Sequence, residues 1–86
     1  MTLLQLRRQI DRVDRQLLRL LNERARLGLA VGRLKKRNGL KLFDPVRERD
    51  ILARLAAVNA GPLSSVAVSA IYRQILQQTR RTERAA

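Results

Sequence analysis

MTLLQLRRQIDRVDRQLLRLLNERARLGLAVGRLKKR, residues 1–37, reads as one uninterrupted amphipathic helix. Leu3, Leu6, Ile10, Val13, Leu17, Leu20, Leu27, Val31 and Leu34 recur on alternating steps of three and four, the spacing of a heptad seam. Between Leu20 and Leu27 the pattern calls for an apolar residue, and the chain supplies Arg24. A guanidinium on a buried seam costs several kcal/mol unless an anion meets it. Arg24 is therefore the first pointer to function. Thr2 and Gln5 have the form of a capping box. Gly28 and Gly32 lie four apart inside the helix, each at a cost of about 1 kcal/mol relative to alanine, and imply close approach of a neighbouring helix. Asn38-Gly39 is the pair that ends it, with Gly39 suited to a left-handed C′ position. From Leu3 to Arg37 such a helix is about 50 Å long, more than the diameter of a domain this small, so it cannot bury its stripe against its own chain alone.

Outward from this segment, residues 38–44 form a short loop. Asp44-Pro45 then supplies an N-cap and a residue preset for the first helical position. A second helix is expected over 45–58, with Val46, Ile51, Leu52, Leu55 and Val58 on its apolar side, broken by Asn59-Ala60-Gly61-Pro62. Leu63 with Ser64 or Ser65 reads as staple and cap of a third helix over 66–82, its apolar face Val66, Ala70, Ile71, Ile75 and Leu76. The tail after Glu83 is expected to fray. The fold class is all-α: one domain, residues 1–86, with one very long helix, two short ones and no strands. The unburied seam predicts an intertwined homodimer whose long helices pair antiparallel, with little stability as a monomer.

Composition narrows the chemistry. Cysteine and histidine are both absent, which removes disulfides, thiolate metal sites, the commonest general base and the commonest metal ligand. No serine sits beside a base, and no phosphate-binding glycine loop or metal cluster is present. Nothing approaches the roughly 20 apolar residues of a membrane span, and no signal-peptide pattern opens the chain, so a cytoplasmic protein without membrane contact is expected. The formal charge is +12, from 19 Lys plus Arg against 7 Asp plus Glu, which invites a polyanion. Phe43 and Tyr72 are the only aromatics, too few for base-stacking platforms, so nucleic acid is not the expected partner.

What remains is cations at regular places. Most of the 16 arginines are solvated surface charge; Arg8, Arg12, Arg15, Arg19 and Arg26 belong there. Arg24 differs through its seam position. Lys35 follows eleven residues later, about three turns on, and points to the same side, with Lys36 its adjacent competitor. Arg7, near the helix N-terminus, could reach a partner's central site in an antiparallel dimer. Asp44-Pro45-Val46-Arg47-Glu48-Arg49 puts Arg47 and Glu48 in the first turns of the second helix. Periodicity alone thus yields a helical dimer with an interior cationic pocket, suited to a small anion with more than one carboxylate.

The runs from Leu3 to Asp14, Leu17 to Arg24, Val31-Gly32-Arg33-Leu34-Lys35 and Asp44 to Arg49 resemble, in order and spacing, the all-helical class of chorismate mutases. The resemblance covers about residues 3–83. It implies an intertwined dimer of three-helix subunits with two equivalent active sites, no cofactor, and chorismate as a dicarboxylate substrate rearranged to prephenate in aromatic amino-acid biosynthesis. Arg7 resembles the arginine donated by the partner subunit, and Arg24 the main-site arginine; together they would grip the carboxylates. Lys35 matches the lysine that contacts a carboxylate and the ether oxygen whose bond breaks, and Arg47 a further cation. Glu48, with Asp44 through its backbone, matches the groups that hold the ring hydroxyl. In the same register Thr79 falls where a small hydroxyl residue contacts substrate. Glu83 falls where many members carry a glutamine that donates to the ether oxygen and some use glutamate. A glutamate donates only when protonated. Lys35, Glu83 and Arg24 are thus the expected catalytic groups.

Three other readings compete. Lysis of isochorismate to pyruvate and salicylate would use the same cations on the same fold. The stretch Asn59-Ala60-Gly61-Pro62-Leu63-Ser64 resembles mutase-like domains fused to other shikimate-pathway enzymes, where the role is regulatory. A basic coiled coil for nucleic acid would need a continuous basic stripe, whereas these basic residues interleave with a seam that itself contains Arg24.

Overall fold

The computed structural model describes residues 1–85, so Ala86 of the expected 1–86 domain lies outside the described residues. Three helices account for most of it: α1 (Leu3–Arg37), α2 (Pro45–Val58) and α3 (Ser65–Ala85), with no strand among the described residues. Local chemistry sets their ends. Thr2 Oγ1 accepts from the Gln5 amide at 3.1 Å while Gln5 Oε1 accepts from the Thr2 amide at 2.8 Å, a closed capping box. At the other end of α1, Gly39 takes φ +66°, and the Leu40 amide turns back to the Lys35 carbonyl at 2.8 Å. Asp44 caps α2 through the Arg47 amide at 3.0 Å, ahead of Pro45. Ser64 caps α3 through the Ala67 amide at 3.1 Å.

α3 packs on both other helices, whereas no Cα of α1 comes within 8 Å of one of α2. The two therefore diverge over α3 and leave a cleft between them. The contact between α1 and α3 is close because Gly28 and Gly32 are buried under it: a Cβ at Gly32 would stand 3.1 Å from Glu83 Cβ and 3.2 Å from Glu83 Cα. The glycine pair thus lets the last turns of α3 lie against α1.

Two expectations for α3 need correction. The helix runs to Ala85 rather than ending near 82, because Glu83 is clasped against the α1 glycines at 7% exposure. Its packed side also differs from the apolar face read from sequence. Leu76 is buried and Ile75 half-buried, but Val66 is 81% and Ile71 50% exposed, and the inward positions toward the C-terminus hold Thr79, Arg80 and Glu83. On α2, Ile51, Leu52 and Leu55 are half-buried while Val46 and Val58 face solvent.

Leu76, 5% exposed, is the one buried large apolar side chain among the described residues. The α1 seam lies open: Leu3, Ile10, Val13, Leu17, Leu20, Leu27 and Leu34 are each more than half exposed. The chain measures 55 × 24 × 15 Å with a radius of gyration of 15.9 Å, against about 12 Å for a compact domain of its length. A seam this long and apolar lies uncovered in the single chain.

Candidate active site

The cleft between α1 and α2, floored by α3, is a cavity of about 270 Å³. Each wall contributes charge. From α1 come Arg24 and Lys35, from the loop before α2 Asp44, from α2 Arg47 and Glu48, and from α3 Thr79, Arg80 and Glu83; Leu27, Val31, Leu42, Ile51 and Leu76 supply apolar lining. The helical spacing that makes Arg24 and Lys35 co-facial brings both to this cavity, three turns apart.

Arg24 is half-buried although its Cα belongs to the seam, because its guanidinium turns inward to α3, where Nη1 donates to Thr79 Oγ1 at 2.7 Å. The Thr79 hydroxyl donates in turn to the Ile75 carbonyl at 2.8 Å, so it is fixed as an acceptor for Arg24. A guanidinium has five N–H groups, and this bond leaves others available for a ligand. Lys35 Nζ donates to the Leu42 carbonyl at 2.9 Å, which pins the ammonium under the loop and leaves two N–H groups for a ligand. Adjacent Lys36 points elsewhere, with Nζ 3.3 Å from the Arg84 carbonyl. Phase thus separates the two lysines, and Lys35 is the one at the cavity.

Glu83 is the buried acid. It is 7% exposed, and its Oε2 has no hydrogen-bond partner among the described residues. Leaving a buried carboxyl oxygen unmet costs about 1–3 kcal/mol or more, which stability alone would not retain. Glu48, across the cavity, is met by Arg80, whose Nη1 donates to both carboxylate oxygens, to Oε2 at 2.6 Å. The Arg80 guanidinium also lies over the Phe43 ring, 5.0 Å from its centroid.

Of the eight residues expected at a site from sequence, Arg24, Lys35, Asp44, Arg47, Glu48, Thr79 and Glu83 line this one cavity. Arg7 does not. It is exposed and lies seventeen residues before Arg24, about 25 Å away along α1. Arg80 is a site residue that the sequence reading misses. Its phase could have revealed it, since positions 76, 80 and 83 share one side of a helix and the other two are already assigned inward. Four cations and three carboxyl groups thus face a cavity of small-molecule size. Among the described residues no group of three or more His, Cys, Asp or Glu side chains is placed to hold a metal ion, and no helix is long and apolar enough to cross a membrane.

Residues 6–84 match the family model of chorismate mutase type II. The chain is 40% identical over 76 residues, 84% of its length, to the bifunctional chorismate mutase/prephenate dehydratase of Aquifex aeolicus. It is 37% identical over 78 residues, 91% of its length, to the enzyme of the same description from Neisseria gonorrhoeae. It spans 21% of the length of each of those two relatives. Among solved structures, form II of chorismate mutase from Thermus thermophilus superposes with a TM-score of 0.91 at 40% identity, covering 92% of this chain and 90% of the other. Chorismate mutase from Helicobacter pylori in complex with prephenate gives 0.89 at 26% identity, covering 96% and 90%.

Proposed function

The chain belongs to the chorismate mutase type II family, and we propose that it converts chorismate to prephenate in a homodimer, each cavity being completed by Arg7 of the partner subunit. The observation that carries this reading is the convergence of Arg24, Lys35 and Arg47 from two helices on one cavity that Glu83, with its buried and unpartnered Oε2, also lines. The inventory suits the reaction. The rearrangement is intramolecular: the ether C–O bond breaks while a C–C bond forms, with no nucleophile, base or redox partner required. The protein must hold a dicarboxylate in its compact reactive conformer, an orientation effect. It must also stabilise the negative charge that develops on the ether oxygen, which donors fixed in advance do without reorganisation.

The roles are those the family resemblance implies, and the place of these residues on one cavity supports them. Arg24 and Arg47 meet carboxylates. Lys35, with one N–H on Leu42 and two remaining, spans a carboxylate and the ether oxygen. Glu83 donates to the same oxygen from the opposite side in its protonated form. Glu48 and the Asp44 backbone accept from and orient the ring hydroxyl. The exposed seam and the 15.9 Å radius of gyration support a pairing of α1 helices, which in this reading is antiparallel. That pairing would bring the far end of one α1 to the middle of the other.

Following the loss of chorismate and the appearance of prephenate, with isochorismate offered in parallel, tests the function. Turnover of isochorismate to pyruvate with chorismate left intact would replace the mutase by the lyase. Glu83 can donate to the ether oxygen only with its proton on, so Glu83→Gln, a permanent donor, is expected to raise kcat. A kcat lowered about tenfold or more in a folded Glu83→Gln variant would remove Glu83 from the ether oxygen.

A further inference from the structure

We propose that Arg80 is a positioning residue: it aims the Glu48 carboxylate at the substrate hydroxyl and cancels the charge that this carboxylate would otherwise turn on a doubly negative substrate. The proposal rests on the chorismate mutase reading above. Three observations lead to it. Arg80 Nη1 donates to both oxygens of Glu48, bridging α3 to α2 along the cavity wall. The guanidinium is packed over Phe43 at 5.0 Å, so its approach to Glu48 is directional rather than that of a floating surface charge. Both side chains are largely withdrawn from water, at 28% and 21% exposure, where unpaired charge is felt.

Glu48 has a conflict built into its task. As an acceptor for a hydroxyl it gains from being ionised, but an ionised carboxylate in the same small cavity repels a dianion. Pairing with Arg80 resolves this. The pair is neutral in sum, and each carboxylate oxygen keeps a lone pair for the hydroxyl. The ring hydroxyl undergoes no bond change in the rearrangement, so this arrangement favours ground state and transition state alike. Its loss belongs in KM rather than kcat.

Steady-state kinetics on chorismate in a double-mutant cycle tests this. The parent enzyme is assayed first; a parent that fails to turn over chorismate overturns the functional reading itself, separately from the role of Arg80. With an active parent, Arg80→Met, which keeps the stem over Phe43 and removes the charge, is expected to raise KM about tenfold while kcat stays within about twofold. In a Glu48→Gln background the same substitution is expected to change KM by less than about twofold, since a neutral amide needs no counter-charge. Arg80→Lys restores the charge and brings KM most of the way back. An equal rise in KM in both backgrounds would mean that Arg80 grips the substrate directly and overturns the proposal. A fall in kcat at constant KM, the mark of a merely structural role, overturns it as well. If Arg80→Met does not fold, Arg80→Gln takes its place in the same cycle and is read by the same criteria.

Discussion

Replacing Lys35 by alanine lowers kcat on chorismate by about a hundredfold to a thousandfold, the scale on which a single preorganised donor at a developing oxyanion acts. The size follows from where the ammonium sits. Lys35 projects from the last turns of α1 into the cavity and is tethered by its 2.9 Å bond to the Leu42 carbonyl, so its remaining N–H groups are aimed before substrate arrives. Contacts to a substrate carboxylate exist before and during the reaction and register in KM. A contact to the ether oxygen strengthens only as its bond to carbon breaks, and registers in kcat. The variant remains folded. Lys35 is not part of the buried contact between Gly28, Gly32 and Glu83, and the cost to structure is one loop hydrogen bond, about 1 kcal/mol. Helix content and oligomeric mass of the variant should therefore match the parent. A kcat within about threefold of the parent, in a variant with parental circular dichroism, would take Lys35 away from the ether oxygen.

The site is legible in the sequence where it breaks a packing rule. Arg24 stands out because a heptad seam cannot tolerate a guanidinium without a partner, and the structure supplies Thr79 and the cavity beside it. Gly28 and Gly32 stand out because they weaken a helix, and they lie where a Cβ would meet α3, at Thr79 and Glu83. Caps are legible for a related reason: Thr2 with Gln5, Asp44 with Pro45, and Asn38 with Gly39 each solve a local hydrogen-bonding problem that needs no knowledge of the rest of the chain.

Helix α3 is less legible because its inner face does not look like an inner face. Reading apolar residues as the buried ones selects Val66 and Ile71, which are exposed, and passes over Arg80. Near the cavity α3 turns polar groups inward. Thr79, Arg80 and Glu83 form the floor of the cavity, where polar side chains replace the usual leucines. Periodicity reports which side of a helix is unlike the other; it does not say whether the side turned inward meets protein or ligand.

Mixing an inactive Arg7→Ala protein with an inactive Arg24→Ala protein restores about one quarter of parental activity once subunits exchange, by the symmetry of a two-site dimer. Along α1 the two arginines are about 25 Å apart, so Arg7 cannot reach the cavity of its own chain. Charge gives a reason for its import. Arg24, Lys35, Arg47 and Arg80 face Asp44, Glu48 and Glu83, so even with Glu83 protonated a substrate dianion uses up the whole cationic excess of the cavity. In the proposed dimer, Arg7 of the partner subunit would restore that excess. Two-fold symmetry then fixes the arithmetic. In a mixed dimer the site built on the Arg7→Ala chain keeps its own Arg24 and receives an intact Arg7 of the partner subunit, while the other site lacks both. Random exchange makes about half of the dimers mixed, each with one working site of two, hence about one quarter. A site built within one chain gives no recovery at any mixing ratio, since neither parent contains a complete set. Exchange can be verified by mass spectrometry of differently tagged chains, and mixed dimers without recovered activity would mean that Arg7 does not complete the site of the partner subunit.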